Sequence, residues 1–156
     1  GELLATLSQT VFCRGDGGFG GENKPQPRPH AVPTREPDTH IDMPTSQQSA
    51  LIYRLCGDYN PLHVNPATAR EAGFARPILH GLATFGVTGH ALVKRCCHSD
   101  PFAMRAMSAR FSSPVFPGES VRVEIWREGA GRAAFRASVP ARGVTVVDNG
   151  HFEFST

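Results

Sequence analysis

The spacing of hydrophobic and polar positions changes once along this chain. From Pro101 onward it has a period of two, and "FAMRAMSARF", "ESVRVEIWRE", "GRAAFRASVP" and "GVTVVDNGHFEFST" read as four strands. "GAGR" at 129–132 marks a tight hairpin, "PVFPGES" a looser turn, and Asp148-Asn149-Gly150 a bulge in the last strand. Upstream, "ILHGLATFGVTGHALVKR", residues 78–95, is the longest segment with helical spacing. Ile78, Leu82, Phe85 and Leu92 supply its bulk, and Gly81, Gly86 and Gly89 thin it. Each glycine costs about 1 kcal/mol against alanine, a cost that makes sense where another backbone comes close. Lys94 and Arg95 suit its C-terminal end.

Shorter elements precede it. "THIDMP" from Thr39 reads as a short strand. "TSQQSALIYRLC" reads as a helix capped by Thr45 or Ser46, with Ala50, Leu51, Tyr53 and Leu55 as its apolar face and Gly57 as its stop. "NPATAREAG" reads as a helix with Asn65 as N-cap, Pro66 in its first turn and Gly73 just past its end. Residues 3–13 are apolar and strand-like, and 15–38 form a Gly/Pro-rich stretch with prolines at 25, 27, 29, 33 and 37, expected to be an extended, partly disordered linker. Helices first and an antiparallel meander after make an α+β pattern, one long helix against one sheet. No internal repeat is visible.

Composition narrows the function classes. A chain of 156 residues, 40% hydrophobic and 19% charged, is an ordinary globular sequence with room for a real core. Its formal net charge of +2 and lack of basic runs give no reason for a nucleic-acid partner. No apolar run reaches the roughly 18–20 residues that span a bilayer, so no membrane partner is expected, and "GELLATLSQT" has no signal-peptide pattern. The cysteines Cys13, Cys56, Cys96 and Cys97 form no CxxC pair and read as small apolar fillers in a reducing compartment. The seven histidines are scattered and none pairs with cysteine at ligand spacing, so no metal site is expected.

The densest chemistry is "LCGDYNPLHVNP", residues 55–66. Gly57 opens backbone conformations closed to other residues, and Pro61 pushes Asn60 out of helical geometry. Asp58 and His63 then stand at the two ends of a stiff loop that can fold them into one pocket. A carboxylate and an imidazole facing one water make a general acid/base pair, and the Asn60 amide can orient that water or one of its partners. The bland alternative is an Asx turn, which explains many Asp-x-Asn pairs.

The stretch Gly57-Asp58-Tyr59-Asn60-Pro61-Leu62-His63, with Tyr53 upstream and Ala67 and Ala69 after it, resembles the hydratase 2 motif of the MaoC-like enoyl-CoA hydratases. "FARPILHGLATFG" at 74–86 and "ARFSSPVFPGESVRVEIW" at 109–126 resemble the same family, and the resemblance covers about 45–155. It implies a hot-dog fold, an antiparallel sheet wrapped around one long central helix. It implies a hydro-lyase acting on an acyl-CoA thioester, which adds water to trans-2-enoyl-CoA to give (3R)-3-hydroxyacyl-CoA in β-oxidation. No cofactor is implied, since coenzyme A is part of the substrate. Asp58 and His63 would bracket the catalytic water, with Asn60 in support, and Gly81 would donate its backbone N–H to the thioester oxygen. Tyr59, Pro61, Leu62 and Phe111 would line the substrate site with them. From pattern alone Gly81 is equally a packing glycine, and Phe111 a core aromatic. His80, His90, Ser112, Ser113 and Trp126 read as structural.

The first residues resemble the closing strand of a preceding hot-dog repeat. The resulting organisation is a remnant strand at 1–14, a linker at 15–38 and a MaoC-like domain at 39–156, the motif-bearing C-terminal half of a double hot-dog protein. A homodimer, or pairing with a second hot-dog half, is expected. So is a peroxisomal location if the source is eukaryotic, and a cytoplasmic one otherwise. The alternatives are a (3R)-hydroxyacyl-ACP dehydratase of fatty-acid synthesis and a non-catalytic module that binds acyl thioesters.

Overall fold

A computed structural model describes residues 1–13, 15–21 and 28–156. Strand β1 (Thr39–Pro44) leads to the short helix α1 (Ser49–Tyr53), helix α2 (Pro66–Glu71) and the long helix α3 (Gly81–Cys96). Strands β2 (Met104–Phe111), β3 (Ser120–Arg127), β4 (Arg132–Val139) and β5 (Val144–Phe154) follow. All pairings are antiparallel, in the order β1-β3-β4-β5-β2. The expected meander holds for β3 to β5 only. β2 lies at the far edge beside β5, because the link containing Pro117 and Gly118 crosses the sheet instead of closing a hairpin.

The sheet wraps α3. Ala91 and Leu92 of the helix are fully buried, against Val121, Val123, Ile125 and Phe135 among others. Burying a side chain such as Leu92 stabilises the fold by about 1.5–3 kcal/mol. Thr84 and Thr88 are also buried, and each turns its hydroxyl onto a carbonyl one turn earlier, His80 and Thr84 respectively. The helix starts at Gly81 and not at Ile78. Leu79 donates its N–H to Val115, and His80 (φ −57, ψ 138) is extended, so the apolar run at 78–80 belongs to a sheet-like connection. Leu82 is exposed and Phe85 half-buried, so of the four expected bulk residues only Leu92 is in the core. The glycines admit side chains, not backbone: a Cβ at Gly89 would lie 3.3 Å from Met107 Sδ, and Gly86 faces open space.

The smaller elements follow their local signals with two exceptions. Asn65 caps α2 by accepting from the N–H groups of Ala67 and Thr68, and Gly73 (φ +88) ends it. Gly57 (φ +106) stops the turn after α1. Asn149 (φ +55) marks the bulge in β5, where the register to β4 and β2 shifts. However, α1 lacks its expected cap and most of its apolar face. Thr45 instead donates its hydroxyl to the Glu119 carbonyl, and Leu51 and Leu55 are exposed. Residues 3–13 form no strand: no ladder among the described residues pairs with them, and Leu3, Leu4 and Leu7 are exposed.

Contacts with the sheet begin well before Thr39. Residues 28–38 run along the sheet, where Trp126 Nε1 donates to the Arg35 carbonyl at 2.7 Å and His30 meets Glu128. Arg35 forks onto Asp38, whose carboxyl is held down at about 2 by that hydrogen bond and the Arg127 N–H. Of the expected linker prolines, Pro25 and Pro27 lie outside the described residues. Cys96 and Cys97 are buried fillers as expected, and burial pushes the Cys96 thiol up to about 11. Cys13 and Cys56 are exposed. Among the described residues no helix is long and apolar enough to cross a membrane.

Candidate active site

The loop after Gly57 is stiff for the reason its sequence suggests. Asp58 accepts from the Asn60 N–H, Asn60 accepts from the Leu62 N–H, and Pro61 begins a 3-10 turn that ends at His63. The Asx turn set out as the bland alternative is therefore present. Asn60 spends its side-chain oxygen on the turn, and its amide nitrogen has no recorded partner among the described residues.

The turn swings His63 inward, to 9% exposure, while Asp58 remains half exposed. His63 Nδ1 lies 2.8 Å from the Ile78 carbonyl oxygen. A carbonyl can only accept, so Nδ1 carries the proton and Nε2 is the nitrogen left with a lone pair. His80 stacks on His63 with ring centroids 3.7 Å apart and is 1% exposed. One polar atom from each of Asp58, His63 and His80 lies within 4.8 Å of the others. The fold thus brings the expected pair together and adds a third member.

His80 is packed and hydrogen-bonded, as expected, and it sits at the centre of the group. Its Nε2 lies 3.3 Å from the Asp58 carbonyl and 4.0 Å from the Asp58 carboxylate. Burial and then the neighbouring His63 push its imidazole below the ordinary value, and the bond to the Asp58 carbonyl only partly offsets them. A neutral His80 that donates from Nε2 leaves Nδ1 a bare acceptor, and that buried atom has no partner among the described residues. Such an orphan costs about 1–3 kcal/mol. Tyr53 closes the other side, its ring centroid 4.7 Å from His80, and burial raises its phenol. The apolar run from Ile78 hides this place for His80, because it puts the residue inside the expected helix and not at its N-cap.

Gly81 is the first residue of α3, and His80 supplies no side-chain cap. The first N–H groups of a helix have no partner within it, and here they open toward a cleft of about 340 Å³. Phe74, Ile78, Gly81, Thr84 and Phe111 line that cleft, and a Cβ on Gly81 would meet the Phe111 ring at 3.6 Å. Phe111 is 48% exposed, which rules out a core aromatic and leaves it covering the helix N-terminus. A second depression, lined by Gln47, Leu51, His63 and Arg76, adjoins it across the 76–81 segment. Tyr59 is exposed under the Arg54 guanidinium, 5.2 Å from its ring centroid, Pro61 is exposed and Leu62 half-buried.

The loop opposite is held by one carboxylate. Glu119 takes the Arg142 fork at 2.6 and 2.9 Å and the Phe116 N–H at 2.8 Å. Arg76 and Arg142 both stack on Phe116.

An antiparallel five-stranded sheet wrapped on one central helix defines a hot-dog protein, and here Asp58, His63 and His80 gather beside the N-terminus of that helix, next to a largely apolar cleft. The chain belongs to the MaoC like domain family, which matches residues 29–149. It is 46% identical to 3-hydroxyacyl-thioester dehydratase Y of Mycobacterium tuberculosis over 159 residues, covering 99% of this chain and 55% of the relative. It is 44% identical to the peroxisomal enoyl-CoA hydratase 2 of Arabidopsis thaliana, covering 94% of this chain and 50% of the relative. A crystal structure of a MaoC-like dehydratase from Phytophthora capsici shares 42% identity and superposes with a TM-score of 0.85, covering 92% of this chain and 48% of that one. The chain spans about half the length of the curated relatives it matches.

Proposed function

We propose that this chain carries the catalytic half of an (R)-specific enoyl-CoA hydratase of fatty-acid metabolism, a hydro-lyase that converts trans-2-enoyl-CoA and water to (3R)-3-hydroxyacyl-CoA. The observation that carries the reading is the convergence of Asp58 and His63 beside the Gly81 end of α3. The names of the relatives, hydratase and dehydratase, support both directions of one reversible reaction.

The chemistry maps onto the chain as follows. A water held between the Asp58 carboxylate and His63 Nε2 adds its oxygen to C3 of the enoyl group and gives up a proton to the pair. The C2=C3 electrons move toward the thioester, whose oxygen gains negative charge. The N–H of Gly81, with the helix dipole behind it, stabilises that charge. The proton count closes when the pair delivers a proton to C2. The two groups act as a coupled acid and base, so the protons belong to the pair. The free Asn60 amide orients the water, and Tyr59, Pro61, Leu62 and Phe111 border the thioester and acyl chain. No cofactor is needed, since water and coenzyme A thioester contain every atom transferred.

The second half of the site belongs to a second hot-dog unit, a copy of this chain or a preceding repeat. The relatives are about twice as long, and the free edge of β2 with exposed Met104 and Phe111 supports an edge pairing there. The peroxisomal name of the plant relative supports that location if the source is a eukaryote.

The test is loss of the conjugated enoyl-thioester absorbance with crotonyl-CoA and a longer trans-2-enoyl-CoA, for wild type and Asp58→Asn, with product chirality determined. A 3R product whose formation collapses in the variant supports the reading. A folded sample without turnover, repeated on a chain extended at its N-terminus by a further hot-dog unit, separates a missing half from a wrong assignment. Inactivity of the extended chain would overturn the proposal.

A further inference from the structure

The seven histidines are scattered in sequence, but folding gathers a second group on the face of the sheet opposite α3. Alternation along β5 sends Phe152 and Phe154 into the core, so His151 and Glu153 point to the other face. Glu128 stands just past the end of β3, and His30 reaches over from the segment that crosses this face. His30 Nε2 lies 2.9 Å from Glu128 Oε2, and the His30 and His151 ring centroids are 4.7 Å apart. One ligand-type atom from each of His30, Glu128 and His151 lies within 4.8 Å of the other two. Glu153 Oε1 is 3.8 Å from His151 Nε2.

All three residues are half-buried, and the position of His30 is built rather than incidental. Asn149, at the β5 bulge, donates its side-chain amide to the His30 carbonyl at 2.8 Å. The bulge therefore fixes both the backbone of His30 and, two residues on, His151. With His30 and Glu128 paired, the carboxylate recorded nearest His151 is Glu153, at 3.8 Å, beyond hydrogen-bond distance. Two imidazoles and a carboxylate converging in this way are instead a donor set for a divalent transition ion.

We propose that His30, Glu128 and His151 bind a divalent transition-metal ion of the zinc class, with Glu153 or water completing four-coordination. Ligand atoms about 2.0–2.2 Å from a tetrahedral ion stand about 3.3–3.6 Å apart, so His30 and Glu128, now 2.9 Å apart, part by about 0.5 Å on binding while the pairs that now stand as far as 4.8 Å apart close by about 1 Å. The ion pins the 28–38 segment to the sheet. It acts as a structural clip and shares no ligand with the Asp58, His63 and His80 group.

The Asp58, His63 and His80 group is the rival site, and the experiment discriminates between them. The metal-stripped full chain is titrated with Zn²⁺ by calorimetry and with Co²⁺ by visible absorption, and Tm is read with and without Zn²⁺. One equivalent is expected, with tetrahedral Co²⁺ bands and a Zn²⁺-dependent rise in Tm. Affinity falls by at least about 10-fold in His30→Ala, His151→Ala and Glu128→Gln, and is retained in His63→Asn. Glu128→Gln keeps the size of the side chain, so its loss of affinity is separable from misfolding. No uptake at about 100 μM metal, or uptake lost in His63→Asn and kept in His151→Ala, overturns the proposal.

Discussion

His63 Nδ1 lies 2.8 Å from the carbonyl oxygen of Ile78, fifteen residues away, and this one contact decides what the imidazole can do. It fixes the tautomer and leaves Nε2 as the nitrogen available to a water. Asparagine can reproduce the Nδ1 side of histidine but has nothing at the Nε2 position. His63→Asn is therefore expected to keep the bond to Ile78 and Tm near wild type, while kcat/KM for enoyl-CoA falls about 10²–10⁴-fold. Enoyl-thioester kinetics beside a thermal melt check it. A parallel fall in both would mean that the ring is structural.

Gly81 separates a packing glycine from an oxyanion donor. The nearest atoms to a Cβ there belong to the Phe111 ring, at 3.6–3.7 Å, which is ordinary contact. Alanine also favours the helix. Gly81→Ala should therefore fold with an unchanged or raised Tm. The methyl stands where the thioester oxygen must approach, so kcat is expected to drop at least about 10-fold, in the range seen when one oxyanion donor is lost. Full activity in a folded variant would remove Gly81 from the mechanism.

These two residues also show how far the sequence carried the reading. The period-two run after Pro101 and the Asn65 and Gly73 caps are local signals, and they fold as written. The loop from Gly57 to His63 is likewise fixed by its own turn bonds. What the sequence hid is non-local. Nothing in the alternation of β2 says that it pairs with β5 and not β3. Nothing in a proline-rich stretch says that Arg35 will meet Trp126, ninety-one residues on. α3 starts three residues later than its apolar pattern suggests, because Ile78 and Leu79 continue that pattern for another reason, the pairing of Leu79 with Val115. The grouping of His63 with His80, and of His30 with His151, depends on tertiary packing alone.

His80 gives the fold a pH dependence near neutrality. Burial and His63 hold its folded-state value below the unfolded one. Below the unfolded value the unfolded chain binds the extra proton and the native chain resists it, so stability falls as pH drops through that window and levels off below the native value. Above it both states are neutral and the contribution is constant. Tm measured from pH 7.5 down to about 5 should fall in wild type and fall less in His80→Gln. Equal slopes would show that other groups set the dependence.

The Glu119–Arg142 pair titrates in a separate, more acidic window. Burial opposes the Glu119 charge, but the Arg142 fork and the Phe116 N–H outweigh it and hold the carboxyl below its ordinary value. The native state therefore binds fewer protons than the unfolded one. Its stabilisation is complete above the unfolded carboxylate value and is lost as pH falls through the native value. Glu119 also ties β1 to the crossing loop, since its carbonyl takes both the Thr45 N–H and hydroxyl. Only the side chain changes in Glu119→Gln, which weakens charge-assisted bonds at a mostly buried site. The expected cost is about 1–3 kcal/mol at pH 7, or about 2–4 °C in Tm per kcal/mol. Melts at pH 7 and about pH 3 should show the difference between wild type and variant shrinking in acid, as the wild-type carboxylate takes up its proton. A gap that persists in acid would assign the effect to packing and not to charge.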